Sequence, residues 1–476
     1  MCQSACLDQR CSGFQGPIEF QRAPGYPGQR SGRTKEAPQT SSPQASSSGT
    51  SQTPDRSGGS SHRPGGRRPA RFNTFVSLRH KDFLLLWLSN LCNASAVWFQ
   101  QITIPWLVWE ISGSPFLVGI AAGSRSIPFL VIGPMAGVFA DRIDRRKLVL
   151  VVQSVMAIVV LSFAAAIHMG YVEGNLGVIY ALLFSVITGI LHATIQPVRH
   201  AMVANTVPRE DLWNAIALNS IAGNVARVVG PGLGGVLIAW LGPALNFYIE
   251  GVFYILMVIA MIPISLPFRE AVTATRTSVF ANLKQGFSYV ISEQVVLRLL
   301  LVACVSDIMI GPIVHLMPVV ADEVLGGDSR IYGFLVLATG IGGIIATISF
   351  ASLGRSFMRG SVGLVALMFL ACSAIVLGIS TWLWVSLAAM FGLGFFRLVF
   401  KINNNTLVQS TIPDALRGRV MAIYNLDNGL TPLASMTLGL LAEFWEVNLV
   451  VLVVGLVSLA LTIYAFAAFS DVRRMR

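Results

Sequence analysis

Long apolar runs separated by short polar segments make up most of the chain after residue 83. A helix that crosses about 30 Å of hydrocarbon needs about 20 such residues. Runs of this length recur, and turn-forming segments such as SGSP at 112–115 and GGDS at 326–329 separate them. The pattern therefore predicts an all-α membrane protein of about twelve transmembrane helices. The predicted spans are 83–109, 116–138, 148–168, 177–197, 213–240, 245–267, 294–319, 331–352, 361–380, 382–404, 420–443 and 447–469.

A longer polar connection divides these spans into two sets of six. We expect residues 72–267 to form an N-terminal six-helix bundle, 268–293 a cytoplasmic linker, and 294–470 a C-terminal six-helix bundle. The two sets also match each other at a constant offset, which pairs Pro208 with Pro413, Ala217 with Ala422, and Gly234 with Gly439. Internal repeats of this kind are typical of secondary transporters, whose substrate site lies between the repeats near the middle of the bilayer.

The two ends of the chain are polar. Residues 1–71 are rich in Ser, Pro, Gly and Arg and carry too few apolar residues to bury a core, which predicts a disordered cytoplasmic tail. We expect residues 471–476 to form a second, short cytoplasmic tail. No secretory signal peptide is expected in so polar an N-terminus, so the first span would serve as the insertion signal.

Charge supports a membrane protein and sets its orientation. Only 12% of the residues are charged, about half the usual share in soluble proteins, and the net charge is +11. The cations cluster in alternate connections, which is typical of cytoplasmic loops and argues against nucleic-acid binding. Both termini should then be cytoplasmic, in a membrane that encloses the cytoplasm. One set of connections carries Arg142, Arg145, Arg146, Lys147, Arg199, Arg209, Arg269, Arg276, Lys284, Arg355, Arg359, Arg417 and Arg419, and the other set carries Arg330.

Several kinds of chemistry lack their sequence signatures. We find no phosphate-binding glycine loop with a lysine, no metalloprotease His spacing and no serine nucleophile elbow. The cysteines of the tail have no partners at metal-ligand spacing. The sequence therefore predicts a protein that is not an enzyme, that uses no cofactor or metal, and that draws on an ion gradient.

Two motifs resemble those of a known transporter superfamily. The segment from Gly137 through Asp141 and Arg142 to Lys147 resembles the G-x-x-x-D-R-x-x-R-R/K signature of the major facilitator superfamily. Residues 230–235 read GPGLGG and are similar to the antiporter motif of its exporters. PWLV at 105–108, VPRED at 207–211 and PDALRGRV at 413–420 resemble the bacterial enterobactin-exporter-like, or transmembrane secretion effector, branch.

The resemblance implies a gating role for these motifs. By likeness to the family, a carboxylate latch between the halves closes and breaks during transport, although the cations could also simply fix the topology. The implied gating residues are Gly137, Asp141, Arg142, Arg145, Arg146, Gly230, Pro231, Gly234 and Gly235. The chain departs from the family pattern at Asp144, Ala217 and Ala226, and the span 177–197 lacks the Arg of many proton-coupled members.

Ionisable residues within the spans are candidates for ion coupling, because a charge in lipid costs at least about 2.5–3.5 kcal/mol unless it faces a cavity or a partner. Asp307 is the preferred coupling carboxylate, and Glu250 and Asp427 are further candidates. The alternative for Asp307 is a static ion pair with Arg125 or Arg227. We expect Arg397 and Lys401 to extend toward the cytoplasmic surface.

Polar side chains on several predicted spans could line a central substrate cavity. Amides and cations occur there at helical spacing, so they should share faces that avoid lipid. The predicted cavity residues are Asn93, Gln100, Gln101, Arg125, Asn219, Asn224, Arg227 and His315.

These features favour a proton-driven exporter of small organic molecules, either drugs or siderophore-like metabolites, that alternates its access between the two sides of the membrane. The expected partners are a small-molecule substrate, protons and the lipid bilayer, and the expected state is a monomer. Two alternatives stay open at this point: a nutrient importer or facilitator, and a membrane receptor or assembly partner that does not transport.

Overall fold

The computed structural model describes residues 76–128, 144–203, 205–264, 279–353, 359–424 and 427–475. They belong to one compact unit that spans Arg71–Arg476. Within this described part, the regular elements are helices. The first half comprises α1 (Lys81–Ser112), α2 (Pro115–Ser124), α3 (Arg145–His168), α4 (Gly174–Val203) and α5 (Leu212–Met261).

The second half begins after a separate amphipathic helix, α6 (Val279–Ser292), which lies in the predicted linker. Its elements are α7 (Gln294–Val324), α8 (Ser329–Leu353), α9 (Gly360–Ile379), α10 (Leu383–Thr411), α11 (Asp414–Tyr424), α12 (Asp427–Phe444), α13 (Val447–Ala468) and α14 (Ser470–Arg474).

Local sequence explains where two helices begin. Ser114 precedes α2, and its hydroxyl accepts a hydrogen bond from the Leu117 amide at 3.3 Å. Asp144 precedes α3, and its carboxylate accepts bonds from the amides of Arg146 at 2.9 Å and Lys147 at 3.4 Å. Short polar side chains at this position satisfy amides that the helix itself leaves free. Asp144, a departure from the family pattern, thus has a local function as a helix cap.

Helix α5 consists of two arms that meet at Gly242. This glycine has φ +78° and ψ 166°, a conformation that L side chains rarely adopt, and Pro243 follows it. The first arm covers residues 212–241 and the second covers 243–261. They correspond to the predicted spans 213–240 and 245–267, and a single residue in an unusual conformation connects them.

Helix α7 is irregular from its centre to its end. Residues Val305–Ile310 and Val320–Val324 form π-helical turns, and Gly311–Leu316 forms a 3-10 turn that begins with Gly311 and Pro312. Such turns free backbone groups from the regular helical pattern. The Thr431 hydroxyl of α12 donates a hydrogen bond to the Asp307 carbonyl at 3.0 Å. Asp307 therefore lies in a distorted segment that a neighbouring helix supports.

Two helix pairs bring the halves into close contact: α2 with α12, and the first arm of α5 with α8. Glycines allow the close approach. A Cβ atom built on Gly235 would lie 2.6 Å from the Gly333 Cα, and one on Gly119 would lie 2.5 Å from the Ser435 carbonyl oxygen. Small residues at such crossings are typical of helix packing in membranes.

One end of the bundle carries the connections at 113–114, 325–328 and 445–446, and we call it the Ser114 end; the opposite end, where α3 begins, is the Arg146 end. At the Ser114 end the halves are joined by polar contacts. The Ser114 hydroxyl donates to Glu443 Oε2 at 2.7 Å, and the Trp109 indole donates to Asp322 Oδ2 at 2.8 Å. The rings of Trp106 and Tyr332 stack beneath them, with centroids 6.0 Å apart.

The helices suit a lipid environment. In the described part of the chain, eight helical segments are long and apolar enough to cross a bilayer, and α2 and the end of α12 are shorter apolar helices. Their outer faces expose large apolar side chains, including those of Ile158, Ile348 and Ile463. Exposed apolar surface of this extent is stable in hydrocarbon but not in water.

Candidate functional site

A cavity of about 480 Å³ lies between the two halves. The first half contributes Trp98, Gln101, Ser126 and Arg227, and the second half contributes most of the remaining wall. Arg227 lies fifteen residues into α5, which places it about 22 Å from the Arg146 end at about 1.5 Å per residue. The cavity therefore lies near the middle of the bundle, where carriers hold their substrates.

Cations dominate the charge of the cavity wall. Arg227, Arg397 and Lys401 line it, and His315 lies beside them. The described lining residues include no acidic side chain. Arg227 holds its guanidinium over the Trp98 ring, with 5.7 Å between its carbon and the ring centroid. This contact orients the charge by cation–π attraction.

Asp307 lies behind the wall and holds two of these cations. Arg397 donates to Asp307 Oδ1 at 3.1 Å, and Lys401 Nζ lies 3.7 Å from Oδ2. The Asp307 side chain is 3% exposed, whereas those of Arg397 and Lys401 are 31% and 35% exposed. A Cβ on Gly311 would lie 2.8 Å from the guanidinium, so the absent side chain leaves room for Arg397. The carboxylate is thus buried, and the two cations face the open space.

This geometry differs from two predictions. The expected static partners of Asp307 were Arg125 or Arg227, but its partners in the structure are Arg397 and Lys401. These two residues were predicted to extend to the cytoplasmic surface, and that prediction is wrong. Helix α10 continues to Thr411, beyond the predicted end at 404, so both cations lie more than two turns inside it.

The first half buries a different carboxylic acid. Glu250, on the second arm of α5, is 0% exposed, and neither of its oxygens accepts a hydrogen bond from a described residue. The Tyr254 hydroxyl, one turn further along, also lacks a partner there. Arg125 is close enough for its charge to act on Glu250, and it donates to the Val97 carbonyl at 3.3 Å. Because Val97 and Arg125 adjoin the cavity residues Trp98 and Ser126, this buried site lies just behind the cavity wall.

Arg199 lies inside the first half rather than in a connection. Helix α4 extends to Val203, beyond the predicted end at 197, and Arg199 is 3% exposed. Its guanidinium donates to Asn90 Oδ1 and, at 3.3 Å, to the Ser89 hydroxyl. The helix that contains the predicted span 177–197 therefore does contain an arginine, which lies beyond the end of that span.

The predicted cavity residues fall into two groups. Gln101, Arg227 and His315 lie in the wall of the cavity. The others that can be placed lie elsewhere: the Gln100 amide donates to the Thr188 hydroxyl at 2.9 Å, and Asn219 Oδ1 accepts from Asn90 at 2.7 Å.

Arg125 contacts Val97, as described above, and Asn93 is half-buried on α1 outside the lining set. Gln100, Asn219 and Arg125 thus satisfy polar groups within the first half, which a pattern of one-sided polarity cannot distinguish from a cavity. The side chains of Asn224 and Asp427 lie outside the described residues.

The gating motifs are placed in part. Gly137, Asp141 and Arg142 lie outside the described residues. Arg145 opens α3, and the Arg146 guanidinium donates to the Ile262 carbonyl at the end of α5, within the same half. Cations commonly bind the free carbonyls at such helix ends.

The GPGLGG segment faces two neighbours. Gly230 packs on Trp98 and Gly234 on Ile102, both on α1, whereas Gly235 packs on Gly333 of α8 in the other half. Pro231 lies between these contacts, inside the first arm of α5. The segment therefore joins the cavity wall at Trp98 to the seam between the halves.

Comparisons with known proteins agree with this architecture. A model of the transmembrane secretion effector family matches residues 72–475. The staphyloferrin A transporter of Staphylococcus aureus is 24% identical over 79% of this chain and 92% of its own length. The enterobactin exporter EntS of Escherichia coli O1:K1 is 26% identical over 73% of this chain and 82% of its own length.

The fold also matches solved structures. The nucleoside transporter NupG superposes with a TM-score of 0.65 at 12% identity, covering 82% of this chain and 99% of that protein. This likeness confirms the predicted all-α membrane fold with two helical bundles.

Proposed function

The chain belongs to the transmembrane secretion effector family, a branch of the major facilitator superfamily of transporters, and on that premise we propose that it is a proton-driven exporter of small organic molecules. The observation that carries this proposal is the cavity between the halves, with a closed Ser114 end on one side of it. A carrier that loads substrate from the Arg146 side needs such a barrier beyond its binding site.

Three observations support the proposed orientation in the membrane and the proposed direction of transport. In the described part of the chain, the cations Arg145, Arg146 and Lys147 lie at the Arg146 end, so that end is assigned to the cytoplasm and the protein to the inner membrane. Relatives named as siderophore transporters or exporters favour export. The glycine-rich seam at Gly235 and Gly333 provides a surface on which the halves can rock. One chain encloses the cavity, which supports a monomer as the working unit.

Glu250 is the best candidate for the proton-binding residue. Its carboxyl is fully buried without a hydrogen-bond donor among the described residues, while Arg125 is near enough to respond to its charge. Asp307 already has two cationic partners, which suits a fixed ion pair better than a proton carrier. Proton binding at Glu250 would alter Arg125 and hence the adjoining cavity wall. This assignment revises the preference for Asp307.

Transport in purified proteoliposomes tests the function. Iron-free staphyloferrin A and enterobactin are the first substrates to try, with a pH gradient imposed across the membrane. We expect accumulation on the acidic side that disappears when an ionophore collapses the gradient. Flux of the same size without a gradient would refute proton coupling. Accumulation on the opposite side would favour an importer, and no flux of any tested organic molecule would favour a receptor.

A further inference from the structure

The charge of the central cavity selects among organic substrates. Three cationic side chains, Arg227, Arg397 and Lys401, line or face the space, and the carboxylate that offsets them, Asp307, is buried behind two of them. Arg227 has no carboxylate partner among the described residues. Among the described lining residues, a ligand in this space therefore meets an excess of positive charge.

The rest of the wall mixes apolar and aromatic side chains with neutral polar ones such as Gln101 and Thr339. Trp98 contributes an indole face next to Arg227, and Val314, Val336, Ile344 and Leu398 contribute aliphatic surface. A volume of about 480 Å³ is within the usual range for small-molecule sites. The site thus offers cationic groups and apolar surface next to each other.

We propose that the cavity binds amphipathic organic anions, in particular aromatic or aliphatic polycarboxylates, and that Arg227, Arg397 and Lys401 are its specificity-determining residues. This inference rests on the proposed transport function and names the substrate class of the same site. A carboxylate could accept charge-assisted hydrogen bonds from the guanidinium groups, which are preorganised for such contacts. An organic cation would instead face three like charges, and Asp307 is too covered to compensate.

Arg227 is the cleanest residue to test. It lies over Trp98 and supports no described carboxylate, so its removal should leave the fold intact. Removing Arg397 would take from Asp307 a hydrogen-bond donor, so the Arg397 variant should lose stability as well as affinity. Arg330 provides a matched control, because it is an exposed arginine at the Ser114 end that pairs with Asp328 at 3.4 Å.

The experiment uses the full chain in lipid nanodiscs and three probes that share one benzene ring. These are benzene-1,3,5-tricarboxylate, the neutral tricarboxamide, and the cationic 1,3,5-tris(aminomethyl)benzene. Binding is measured by isothermal titration calorimetry at low and high salt. We expect the tricarboxylate to bind at least about tenfold more tightly than either analogue, with an affinity that falls as salt rises. The variants Arg227→Gln and Lys401→Gln should bind it about tenfold more weakly, and Arg330→Gln should bind it normally.

Three results would overturn the proposal: equal or tighter binding of the neutral or cationic probe, no tricarboxylate binding by the folded protein, or unchanged binding in Arg227→Gln. Thermal unfolding of each variant shows whether it is folded. Flux of the same probes into proteoliposomes separates the two proposals. Anion-selective binding without flux contradicts transport but keeps the site, whereas flux without preference for the anion contradicts the site but keeps transport.

Discussion

Glu250 in the first half and Asp307 in the second are both buried, but the two halves treat them differently. Asp307 binds Arg397 and Lys401, and its charge holds two cations at the cavity wall. Glu250 has neither oxygen hydrogen-bonded by a described residue, and Arg125 acts on it from a distance. The comparison teaches that burial alone does not assign a role to a carboxyl group. The number of its partners indicates whether it holds neighbours in place or can exchange a proton.

The largest effect that we expect is the loss of proton coupling in the variant Glu250→Gln. The amide keeps the shape of the side chain but cannot exchange a proton, so uphill transport should be lost while exchange of substrate continues. With an imposed gradient of two pH units, one coupled proton can sustain an accumulation of about a hundredfold, since each unit corresponds to about 1.36 kcal/mol. We expect the ratio to fall to about one in proteoliposomes.

Glu446→Gln is the matched control, because Glu446 is exposed beside α13. It should accumulate substrate normally. If Glu250→Gln also retained full accumulation, Glu250 would not be the proton site.

Asp307→Asn should have the opposite profile. Loss of the shared carboxylate leaves Arg397 and Lys401 facing each other's charge, which we expect to cost about 1–2 kcal/mol of stability after allowing for their partial exposure. The same change removes the negative charge that Arg397 and Lys401 share, so benzene-1,3,5-tricarboxylate should bind several-fold more tightly. Thermal unfolding and calorimetry check the two effects.

The exposed carboxylate Asp328 serves as the control for this change. It pairs with Arg330, and the two side chains are about half exposed. Asp328→Asn should change stability by no more than about 0.5 kcal/mol. Equal effects at Asp307 and Asp328 would contradict a structural role for the buried pair.

The variant Asn90→Ala tests how the first half stabilises a buried cation without a carboxylate. There the buried Arg199 is satisfied by the Asn90 carbonyl oxygen and the Ser89 hydroxyl rather than by an acid. Removing the principal acceptor should cost about 1–3 kcal/mol, because the guanidinium stays buried. Thermal unfolding measures this effect, and Asn175→Ala, at an exposed position on α4, the helix of Arg199, should be neutral. An unchanged midpoint for Asn90→Ala would mean that Arg199 has other sufficient partners.

The smallest effect that we expect is the difference in stability between the variants Arg397→Gln and Lys401→Gln. Arg397 makes a hydrogen bond of 3.1 Å to Asp307, whereas Lys401 lies at 3.7 Å, so the arginine variant should be less stable by about 0.5–1 kcal/mol. Unfolding of the two proteins under identical conditions gives the ranking. The reverse order would assign the main counterion role to Lys401.

The sequence predicted the membrane fold well, because runs of about 20 apolar residues are a strong signal and the cations alternated clearly between connections. It predicted the charged interior poorly, and for one physical reason. Arg199 and Lys401 lie close to the ends of the apolar runs, where hydropathy falls, although their helices continue to Val203 and Thr411. Each residue was therefore assigned to a surface position.

The sequence contains a pattern from which two of the cavity residues could have been predicted. Arg397 and Lys401 are four residues apart and so share one face of α10, without an acid on that helix to pair with them. Their partner lies about ninety residues earlier, and no local pattern indicates it. Gln101, Arg227 and His315 were identified from polarity at depth, but the same reasoning included Gln100 and Asn219, whose amides bind neighbours within the first half.

The single-residue turn at Gly242 has a mechanical consequence. Because a single residue connects the two arms of α5, and the Asn246 amide of the second arm donates to the Gly234 carbonyl of the first at 2.9 Å, we expect the two arms to move together. Gly235 of the first arm touches α8 across the seam, and Glu250 lies one helical turn beyond Asn246. Movement of α5 against α8 should therefore displace the Glu250 carboxyl group directly, without any involvement of the substrate.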